Sequence, residues 1–346
     1  MDKLLVATVK IEGLSSSLKI GAMLIMKKGK GRIMLGLLLT VFILVAYTYC
    51  DNNRIKIIVQ EIGIDNLSDD IDGYKILQIT DIHEKVFGDN QENLIEKINS
   101  IEYDAIVFTG DMLINGDSKN YQPIYKLVEG VKNKDLALFV PGNSDPTSYV
   151  YDGKGKLRKH EFIEGLEMRG VKYLESIHTV VRGTSSIHFV DFELSILDLQ
   201  NGLSEGDTTV FIQHRNQLLK EMVKLDSTKS TDVVIALNHY PIVDARIDQL
   251  INNPNAVFRD YDLIIAGHYH GGQIRLPFIG ALFVPEAYYE RSGLFPPQDR
   301  VKGLWEYKQT QQYVSAGLGS SQTVYFLQFR LFNTPEINLL TLKNRN

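Results

Sequence analysis

Short apolar runs recur along the chain after residue 54, and most of them end at a polar residue. Residues 55–64 alternate apolar and polar positions, which is typical of a β-strand with one buried face. Runs such as YKILQIT and YDLIIAG are apolar almost throughout, which indicates strands buried on both faces, as in layered α/β proteins. The predicted strands cover residues 55–64, 74–80, 103–110, 135–142, 231–238 and 261–267.

Other segments predict helices and an inserted lobe. Helical spacing of apolar residues favours a helix at 93–101. Residues 144–215 fit the strand–helix alternation less well, because polar loops separate a predicted helix at 158–169 from predicted strands at 187–198. We interpret 144–215 as a lobe inserted between core strands and suited to substrate selection. The late segment FLQFRLF, at 326–332, predicts one more core strand.

Residues 33–49, IMLGLLLTVFILVAYTY, contain no charged side chain. In an α-helix they would span about 25 Å, at the short end for crossing a bilayer. The positive-inside rule keeps the basic N-terminal segment, 1–32, in the cytoplasm and exports the remainder. We therefore predict a single-pass cell-membrane protein with a transmembrane signal-anchor at 33–50 and an extracytoplasmic domain at 51–346. The basic residues next to the anchor are Lys27, Lys28, Lys30 and Arg32.

A cleaved signal peptide is the alternative to an anchor. Residues 47–49, YTY, make a poor cleavage site, because small residues are favoured there. Cys50 invites comparison with a lipoprotein, but Tyr49 stands where a small residue would be expected. Met26 followed by KKGKGR makes a natural start for a signal-anchor, so both Met1 and Met26 stay open as the first residue.

Charge and cysteine content limit the functions that the chain can have. The formal net charge is -5, but residues 1–56 carry nine Lys or Arg and three Asp or Glu, so the body has a net charge of -11. An acidic body argues against nucleic-acid binding through a basic surface, and no nucleic-acid partner is expected. Cys50 is the only cysteine, which excludes an internal disulfide and a thiolate-rich zinc site. His, Asp, Asn or Glu must hold any metal.

Five predicted strands end at side chains that bind metals. Ligands of open α/β sheets bind beyond the carboxyl ends of the strands, so these side chains should meet in one crevice. Gly267, Gly271 and Gly272 let the backbone turn sharply, so that both histidines of the last loop can face the crevice. Seven donors exceed the needs of one tetrahedral ion and suit a two-metal site with a bridging carboxylate. The seven are Asp81, His83, Asp111, Asn143, His239, His268 and His270.

Five short motifs, in this order, resemble the calcineurin-like metallophosphoesterase superfamily: TDIH (80–83), TGDM (109–112), PGNSD (141–145), NHYP (238–241) and AGHYHGGQ (266–273). The later stretches GGQIRLPFIGALF, YVSAGLG and RLFNTPEINLLTL are similar to a membrane-associated branch of bacterial phosphodiesterases within it. The resemblance extends from about residue 74 to the C-terminus. It implies a four-layer αββα sandwich, with two facing sheets and helices outside, after one N-terminal transmembrane helix.

The resemblance also implies a division of ligands between two divalent metal ions, for which Mn, Fe and Zn are the candidates. A hydroxide that bridges the ions would attack phosphorus in line with the leaving oxygen. The implied assignment is Asp81, His83 and His270 for the first ion, Asn143, His239 and His268 for the second, and Asp111 as the bridge.

Ser144 departs from the family pattern, since GNSD stands where GNHD or GNHE is usual. The resemblance gives the usual His the tasks of steadying the phosphate and protonating the leaving group. General acid catalysis is typically worth about 10²–10⁴ in rate. Ser144 and the retained Asp145 are the candidate catalytic residues, and Tyr269 is considered as a substitute proton donor. A slow enzyme, a preference for good leaving groups and a loss of activity all stay open.

The predicted function is membrane-anchored, binuclear-metal hydrolysis of phosphodiesters of lipid or cell-envelope origin. One alternative is a phosphomonoesterase or nuclease of the same superfamily. Another, suggested by Ser144, is a non-catalytic, metal-containing binding module of the envelope.

Residues outside the motifs carry structural expectations. Gln273 is expected to orient its loop through its amide, and Arg275 and Lys302 are expected on the solvated surface. Four histidines that match no motif are expected to be structural: His160, His178, His188 and His214. A late aromatic group is expected to pack in the core rather than to border the bilayer or the substrate entrance, and it comprises Phe283, Tyr288, Tyr289, Phe295 and Trp305.

Overall fold

The computed structural model describes residues 31–198, 209–321 and 328–345. The chain divides into two compact units, the first ending at Cys50 and the second beginning at Asp51. One helix, α1 (Gly31–Asn52, 22 residues), is long and apolar enough to cross a membrane, and the side chains of its apolar stretch are exposed. Signal sequences near an N-terminus share this length and composition. Most of the predicted cytoplasmic segment, 1–32, lies outside the described residues.

The second unit alternates strands and helices. Its described strands are β1 (Lys56–Ile64), β2 (Lys75–Ile79), β3 (Ala105–Thr109), β4 (Ala137–Val140), β5 (Tyr149–Tyr151), β6 (Leu157–Lys159), β7 (Lys172–Tyr173), β8 (Ile177–Arg182), β9 (Ser185–Asp191), β10 (Val233–Leu237), β11 (Leu263–Ala266), β12 (Arg275–Leu276), β13 (Gly280–Ala281), β14 (Gly303–Tyr307), β15 (Thr310–Val314) and β16 (Glu336–Asn344). Its described helices are α2 (Glu92–Asn99), α3 (Gln122–Gly130), α4 (Glu161–Glu167), α5 (Phe192–Ser195), α6 (Val210–Glu221) and α7 (Asp244–Asn252), with 3₁₀ turns at Asp89–Gln91, Met222–Ser227, His270–Gly272, Glu290–Gly293 and Gln298–Arg300.

Two six-stranded mixed sheets form the centre of the unit. The first has the order β1-β16-β2-β3-β4-β7, and the second has the order β14-β15-β11-β10-β9-β8. Strands β2, β3 and β4 are parallel to one another, as are β9, β10, β11 and β15. The carboxyl ends of the parallel strands within each sheet therefore share one edge.

Apolar side chains fill three layers around the sheets. Ile76 and Val107 of the first sheet belong to one buried cluster with Ile235 and Ile265 of the second, so the two sheets face each other. Helices α2, α3 and α4 cover the outer face of the first sheet, and α5, α6 and α7 cover the outer face of the second. This arrangement confirms the expected four-layer αββα fold, and each of the six predicted strands is present as β1 to β4, β10 or β11.

Two predictions of secondary structure around the inserted lobe were partly wrong. The helix expected at 158–169 begins only at Glu161, because residues before it form strand β6 and the Nδ1 atom of His160 accepts a hydrogen bond from the Phe162 N–H to cap α4. The strands expected at 187–198 end at Asp191, whose side chain accepts from the Leu194 N–H and starts α5.

The core strand expected at 326–332 is also wrong where it is described. Residues 326 and 327 lie outside the described residues, and 328–332 form no regular strand. Leu331 makes an isolated parallel bridge to Ile274, and Arg330, in the same mainly apolar segment, is completely buried. The guanidinium of Arg330 takes part in a hydrogen-bond network that the apolar composition of the segment does not predict.

Residues 144–215 contribute to both sheets. They contain the β5–β6 hairpin and α4, add β7 to the edge of the first sheet, and add β8 and β9 to the second. Residues 199–208 of this segment lie outside the described residues. A role of this lobe in substrate selection stays a prediction.

Candidate metal centre

One carboxylate lies between two groups of histidines at the carboxyl ends of the strands. Asp111, which follows β3, has Oδ2 3.4 Å from His83 Nε2 and Oδ1 3.4 Å from His239 Nε2. Its two oxygens thus face different partners. A carboxylate in this position can contact two cations at once.

The first group lies after β2 and β11. His83 Nε2 is 3.2 Å from His270 Nε2, and His270 Nε2 is 3.4 Å from Oδ1 of Asp81. One potential ligand atom from each of Asp81, His83, Asp111 and His270 lies within 4.8 Å of the others. All four residues are buried.

The second group lies after β4, β10 and β11. His239 Nε2 is 3.1 Å from His268 Nδ1 and 3.2 Å from Asn143 Oδ1. Potential ligand atoms of Asp111, His239 and His268 lie within 4.8 Å of one another. The structure therefore brings the seven side chains singled out in the sequence into two adjoining groups that share Asp111.

Backbone strain is concentrated at this centre. Five of the seven residues have positive φ: Asp81 (52°), His83 (48°), Asp111 (54°), His268 (69°) and His270 (50°). Non-glycine residues rarely adopt this conformation, which costs about 1 kcal/mol or more for each residue and clusters at functional sites. Neighbouring loops hold the strained backbone, as when Asp81 N–H donates to Gly110 O and His83 N–H donates to Asp111 O, both at 3.0 Å.

The glycines of the last loop serve two purposes. Gly271 and Gly272 have positive φ, as the expected sharp turn requires. Gly267 instead makes room, since a Cβ there would lie 2.4 Å from Oδ2 of Asp81. The loop after β11 can therefore approach the first sheet closely enough for its histidines to join the centre.

The electrostatics suit metal ligands. Burial lowers the pKa of His83, lowers that of His268 to about 3, and lowers that of His270 well below its ordinary value. These imidazoles are therefore neutral at physiological pH and keep a lone pair for a cation.

Asp111 and His239, unlike these three histidines, favour their charged forms. Burial opposes ionisation of Asp111, but His239 and His83 outweigh it and lower the pKa of this carboxyl. Burial likewise opposes a charge on His239, but Asp111 and Asp81 raise the pKa of His239 to about 9. The carboxylates thus favour positive charge at the point where the two groups meet.

Hydrogen bonds behind the centre orient two of its histidines. His239 Nδ1 is 2.9 Å from the Thr109 carbonyl, which turns Nε2 toward Asp111. The carbonyl of His270 accepts from Arg330 Nη2 at 3.1 Å and from Asn333 Nδ2 at 2.7 Å. Sequence reasoning missed Arg330 and Asn333, although both lie in the RLFNTPE stretch that supported the resemblance.

Arg330 joins several segments. Its guanidinium donates hydrogen bonds to four backbone carbonyls, those of His270, Ala316, Gly319 and Asn333. Burial lowers the pKa of Arg330 to about 10, which leaves the group charged at neutral pH. The cation therefore replaces its hydration with fixed dipoles and fixes the loop that carries His270.

The two candidate catalytic residues make hydrogen bonds to Asp111 or to the backbone beside it. Ser144 donates from N–H to Asp111 Oδ1 at 2.7 Å and from Oγ to Oδ2 at 3.1 Å. Asp145 is buried and accepts hydrogen bonds from the N–H groups of Met112, Leu113 and Gly142 at 2.9–3.1 Å. Its carboxylate thereby ties the loop after β3 to the loop after β4.

Tyr269 does not suit the role of substitute proton donor. Its side chain is buried, and its hydroxyl donates to Glu286 Oε2 at 2.6 Å. Burial, with the charge of Glu286, raises the pKa of Tyr269 far above its ordinary value. Sequence reasoning did not single out Tyr240, which is partly exposed and has its ring 4.4 Å from that of His268. Its place directly after His239 in NHYP was the available signal.

The expectation of a solvated surface was wrong for Arg275 and Lys302, whereas Gln273 and the four remaining histidines do not contradict theirs. Arg275 is half-buried rather than solvated, and its guanidinium donates to the Gly271 carbonyl at 2.8 Å. Lys302 is partly buried, and its Nζ lies 3.3 Å from Oε2 of Glu336. Gln273 Oε1 accepts from the Ser321 N–H at 2.9 Å. The remaining histidines lie outside the two ligand groups, at positions 160, 178, 188 and 214.

The late aromatic group does not pack in the core as a whole. Trp305 is buried and Tyr289 partly buried, but the other three members are exposed. The expectation of core packing was therefore wrong for Phe283, Tyr288 and Phe295.

Comparison with known proteins agrees with the geometry. A sequence profile of the family described as "Calcineurin-like phosphoesterase" matches residues 74–272. The chain is 25% identical over 291 residues to the uncharacterized metallophosphoesterase YkuE of Bacillus subtilis, which covers 80% of this chain and 81% of YkuE. It is 27% identical over 287 residues to the UDP-2,3-diacylglucosamine pyrophosphatase LpxG of Chlamydia muridarum, with 78% and 83% covered.

A shorter match, 33% identical over 108 residues, relates the chain to the phosphodiesterase YaeI of Escherichia coli and covers 30% of this chain and 35% of YaeI. The family uses divalent metals, and the carboxylate–histidine cluster is suited to bind them. The fold, the cluster and the profile match together show that the chain belongs to the calcineurin-like phosphoesterase family and is a metal-dependent hydrolase of phosphoric esters.

Proposed function

We propose that this hydrolase cleaves phosphodiesters at a pair of divalent metal ions and that α1 anchors it in the cell membrane with its second unit outside the cytoplasm. One observation carries the catalytic part of the proposal. Asp111 directs one carboxylate oxygen toward each of two histidine groups, at 3.4 Å in both cases. A single-metal site would not need a carboxylate shared in this way.

The donor set fits two ions. Imidazoles, carboxylates and an amide oxygen suit Mn, Fe or Zn. When bound, the ions supply positive charge for the phosphoryl oxygens and make a water molecule acidic enough to attack at neutral pH. The proposed ligands are Asp81, His83 and His270 for one ion, Asn143, His239 and His268 for the other, and Asp111 for both.

Ser144 and Asp145 act as positioning residues in this proposal. The N–H and Oγ groups of Ser144 donate to both oxygens of Asp111, which fixes the plane of the shared carboxylate. Asp145 fixes the backbone on either side, because its oxygens accept from residues of both neighbouring loops. Neither side chain supplies the acidic proton that the family's usual histidine would donate.

The lack of that histidine bears on the substrate. Ser144 Oγ–H is directed to Asp111, and Tyr269 O–H is directed to Glu286. A leaving group that is stable without a proton is therefore favoured, such as the phosphate of a pyrophosphate linkage, whose last pKa is about 6. The similarity to LpxG, a pyrophosphatase of a diacylated sugar nucleotide by name, supports a lipid-derived substrate of this kind.

The anchor part of the proposal is supported by α1. This helix is apolar over a length that suits a bilayer, and the lysines at 27, 28 and 30 precede it. A membrane-held hydrolase meets phosphodiesters that carry lipid groups. An acidic body makes a nucleic acid a poor second candidate.

Turnover by the full chain, purified in detergent, tests the catalytic proposal. Bis-(p-nitrophenyl) phosphate should be hydrolysed when Mn²⁺, Fe²⁺ or Zn²⁺ is added, and p-nitrophenyl phosphate, a monoester, should react more slowly. Bound metal should measure two ions per chain. Metal binding without turnover of either ester would overturn the enzymatic proposal and favour a binding module.

Ser144→His sharpens this test, with Ser144→Ala as its control. The histidine variant should raise the hydrolysis of alkyl phosphodiesters by up to about 10²-fold relative to that of bis-(p-nitrophenyl) phosphate, since only the poor leaving group needs a proton. The alanine variant, which gains no acid, should show no such selective increase. Equal changes for both substrates in the histidine variant would contradict the proposed leaving-group preference.

A further inference from the structure

Beyond the metal centre lies an apolar surface, here called the apolar rim and defined by residues 274–285, 291–298 and 328–335. The first segment contains the β12–β13 hairpin, whose turn carries Phe278 and Ile279. Phe283 bridges to Leu294, and Ile274 bridges to Leu331, so the three segments form one surface. Its exposed apolar side chains are Phe278, Ile279, Phe283, Leu294, Phe295 and Phe332.

Three phenylalanines of the apolar rim combine exposure with a strained backbone. Phe278, Phe295 and Phe332 have φ of 67°, 54° and 50°. Phe278, at the hairpin turn, has a relative exposure of 109%. A bulky residue rarely adopts positive φ, and full exposure deprives Phe278 of core packing, so Gly or Asn would be less strained at this position. Strain of this kind at exposed aromatic residues indicates a surface that contacts something outside the chain.

The charge of the apolar rim differs from that of the rest of the chain. Its three segments contain no Asp or Glu, although the chain has 42 such residues. Its charged residues are Arg291, which is exposed, Arg275, which is half-buried, and Arg330, which is buried and does not face the surface. An apolar surface that carries Arg291 and Arg275, with no carboxylate in its three segments, is complementary to an anionic lipid headgroup layer over an acyl interior. An acidic protein body would otherwise be repelled by such a layer.

The apolar rim is also bonded to the first residues of its own unit, Asp51 and Asn52. Asn52, the last residue of α1, donates from Nδ2 to the Arg330 carbonyl at 2.7 Å and accepts from the Arg330 N–H at 2.8 Å. Thr334 Oγ1 donates to Asp51 Oδ1 at 2.7 Å. These bonds fix residues on either side of Phe332. Asp51 and Asn52, the first residues of the second unit, closely follow the apolar stretch 33–49 in sequence.

The same surface is joined to the metal centre. A Cβ at Gly272 would lie 2.3 Å from the Cβ of Ala281, so the loop of His270 packs directly on the hairpin. The Leu331 N–H donates to the Gln273 carbonyl at 3.1 Å, and Arg275 Nη1 donates to the carbonyl of Gly271. Any surface that binds and orients the apolar rim therefore also orients the metal centre.

We propose that the apolar rim inserts into the interfacial layer of the membrane in which α1 is anchored, with the Phe278–Ile279 turn at its tip. Aromatic and aliphatic side chains with cationic neighbours are typical of surfaces that lie in this layer. The site then receives amphiphilic phosphodiesters from the bilayer and not from bulk water. This inference rests on the proposed anchor, but not on the proposed chemistry.

Fluorescence of single labels on the full chain tests the insertion. Cys50, the only cysteine, is replaced by Ser, and an environment-sensitive NBD probe is attached at Phe278→Cys. Phe295→Cys provides a second position in the apolar rim. Phe42→Cys, in α1, is the control for the anchor, and the exposed Met168→Cys, after α4, is the control for a solvated surface. The labelled proteins are placed in nanodiscs of phosphatidylcholine and phosphatidylglycerol.

The expected result at residues 278 and 295 is a blue-shifted NBD emission in nanodiscs. Most of this emission should be lost when the lipids carry nitroxide near the acyl carbonyl. The label at residue 168 should show neither the shift nor the quenching. Quenching at 42 by nitroxide near the chain end, without quenching at 278 and 295, overturns the inference and leaves the anchor standing. Absence of quenching at 42 overturns both. Protection of the label at 278 from iodide, without quenching by the nitroxide lipids, also overturns the insertion, because another protein or a second copy of this chain then covers the apolar rim. Cooperative thermal unfolding of each labelled protein shows that it is folded, independently of turnover.

Discussion

The metal centre and the apolar rim both hold large side chains on left-handed backbone, but they differ in what offsets that strain. At the centre, the carboxylate of Asp111 accepts two hydrogen bonds from Ser144, and its own carbonyl accepts from His83 N–H. At the apolar rim, Phe278 is fully exposed at a hairpin turn, with no burial to offset its positive φ. The compensation at the centre thus lies within the chain.

This difference teaches which regions can be understood from the chain alone. Where strained residues are held by hydrogen bonds to one another and to their neighbours, the fold already explains their conformation. A ligand then binds to a preformed site. Where strained residues are apolar and exposed, the fold leaves their conformation unexplained, and the explanation has to include a partner. Substitutions should therefore have opposite effects on stability in the two regions.

The largest effect is expected at Asp111. Asp111→Asn keeps the shape of the side chain but removes the charge shared by both histidine groups, so turnover should fall by about 10³-fold, equivalent to about 4 kcal/mol. Bound metal, measured by elemental analysis, should fall with it. Asp117→Asn, the same change at an exposed position further along the same loop, is the matched control. Unchanged metal content and turnover in Asp111→Asn would remove the basis of the two-metal assignment.

A smaller effect is expected at Arg330, which supports the centre from behind. Arg330→Ala leaves three buried carbonyls without a donor, and the His270 carbonyl with Asn333 alone, so it should lower the free energy of unfolding by about 3 kcal/mol. Metal affinity should also fall by about 10- to 100-fold, because the backbone carbonyl of His270 loses the hydrogen bond from Arg330 that helps to fix its loop. Arg158→Ala, at the exposed position of β6, should change the free energy of unfolding by less than about 0.5 kcal/mol. Denaturant unfolding that does not separate the two variants would contradict a clamping role for Arg330.

The smallest effect is expected at the apolar rim, and its sign is reversed. Phe278→Asn places a residue that tolerates positive φ at the exposed turn, so in detergent the free energy of unfolding should rise by about 1 kcal/mol. The expected increase in Tm is about 2 °C. His268→Asn, the same type of replacement at the centre, should not stabilise the protein, because His268 takes part in the ligand group. A loss of stability in Phe278→Asn would show that the chain itself compensates the strain.

Much of the centre could be predicted from sequence because two simple rules act together there. Apolar periodicity located β2, β3, β4, β10 and β11, and polar side chains at the ends of parallel strands meet at one edge. The positions of Asp81 and His239 follow from this reasoning without further information.

Other features depend on tertiary contacts that local pattern does not contain. The FLQFRLF segment has the composition of a core strand, but the described part contains a buried arginine whose acceptors are 3 to 60 residues away in sequence. Phe283 and Phe295 are aromatic like Trp305, yet of the three only Trp305 is buried. Burial of a short apolar stretch is decided by its neighbours in space.

The last strand, β16, lies between β1 and β2 in the first sheet. Among the described strands β1 pairs with β16 alone, so this edge of the sheet forms only by contact between residues far apart in sequence. Pairing of this kind is intrinsically slow, because a long loop has to close before the strands meet. The β1–β16 edge should therefore be among the later parts of the unit to fold.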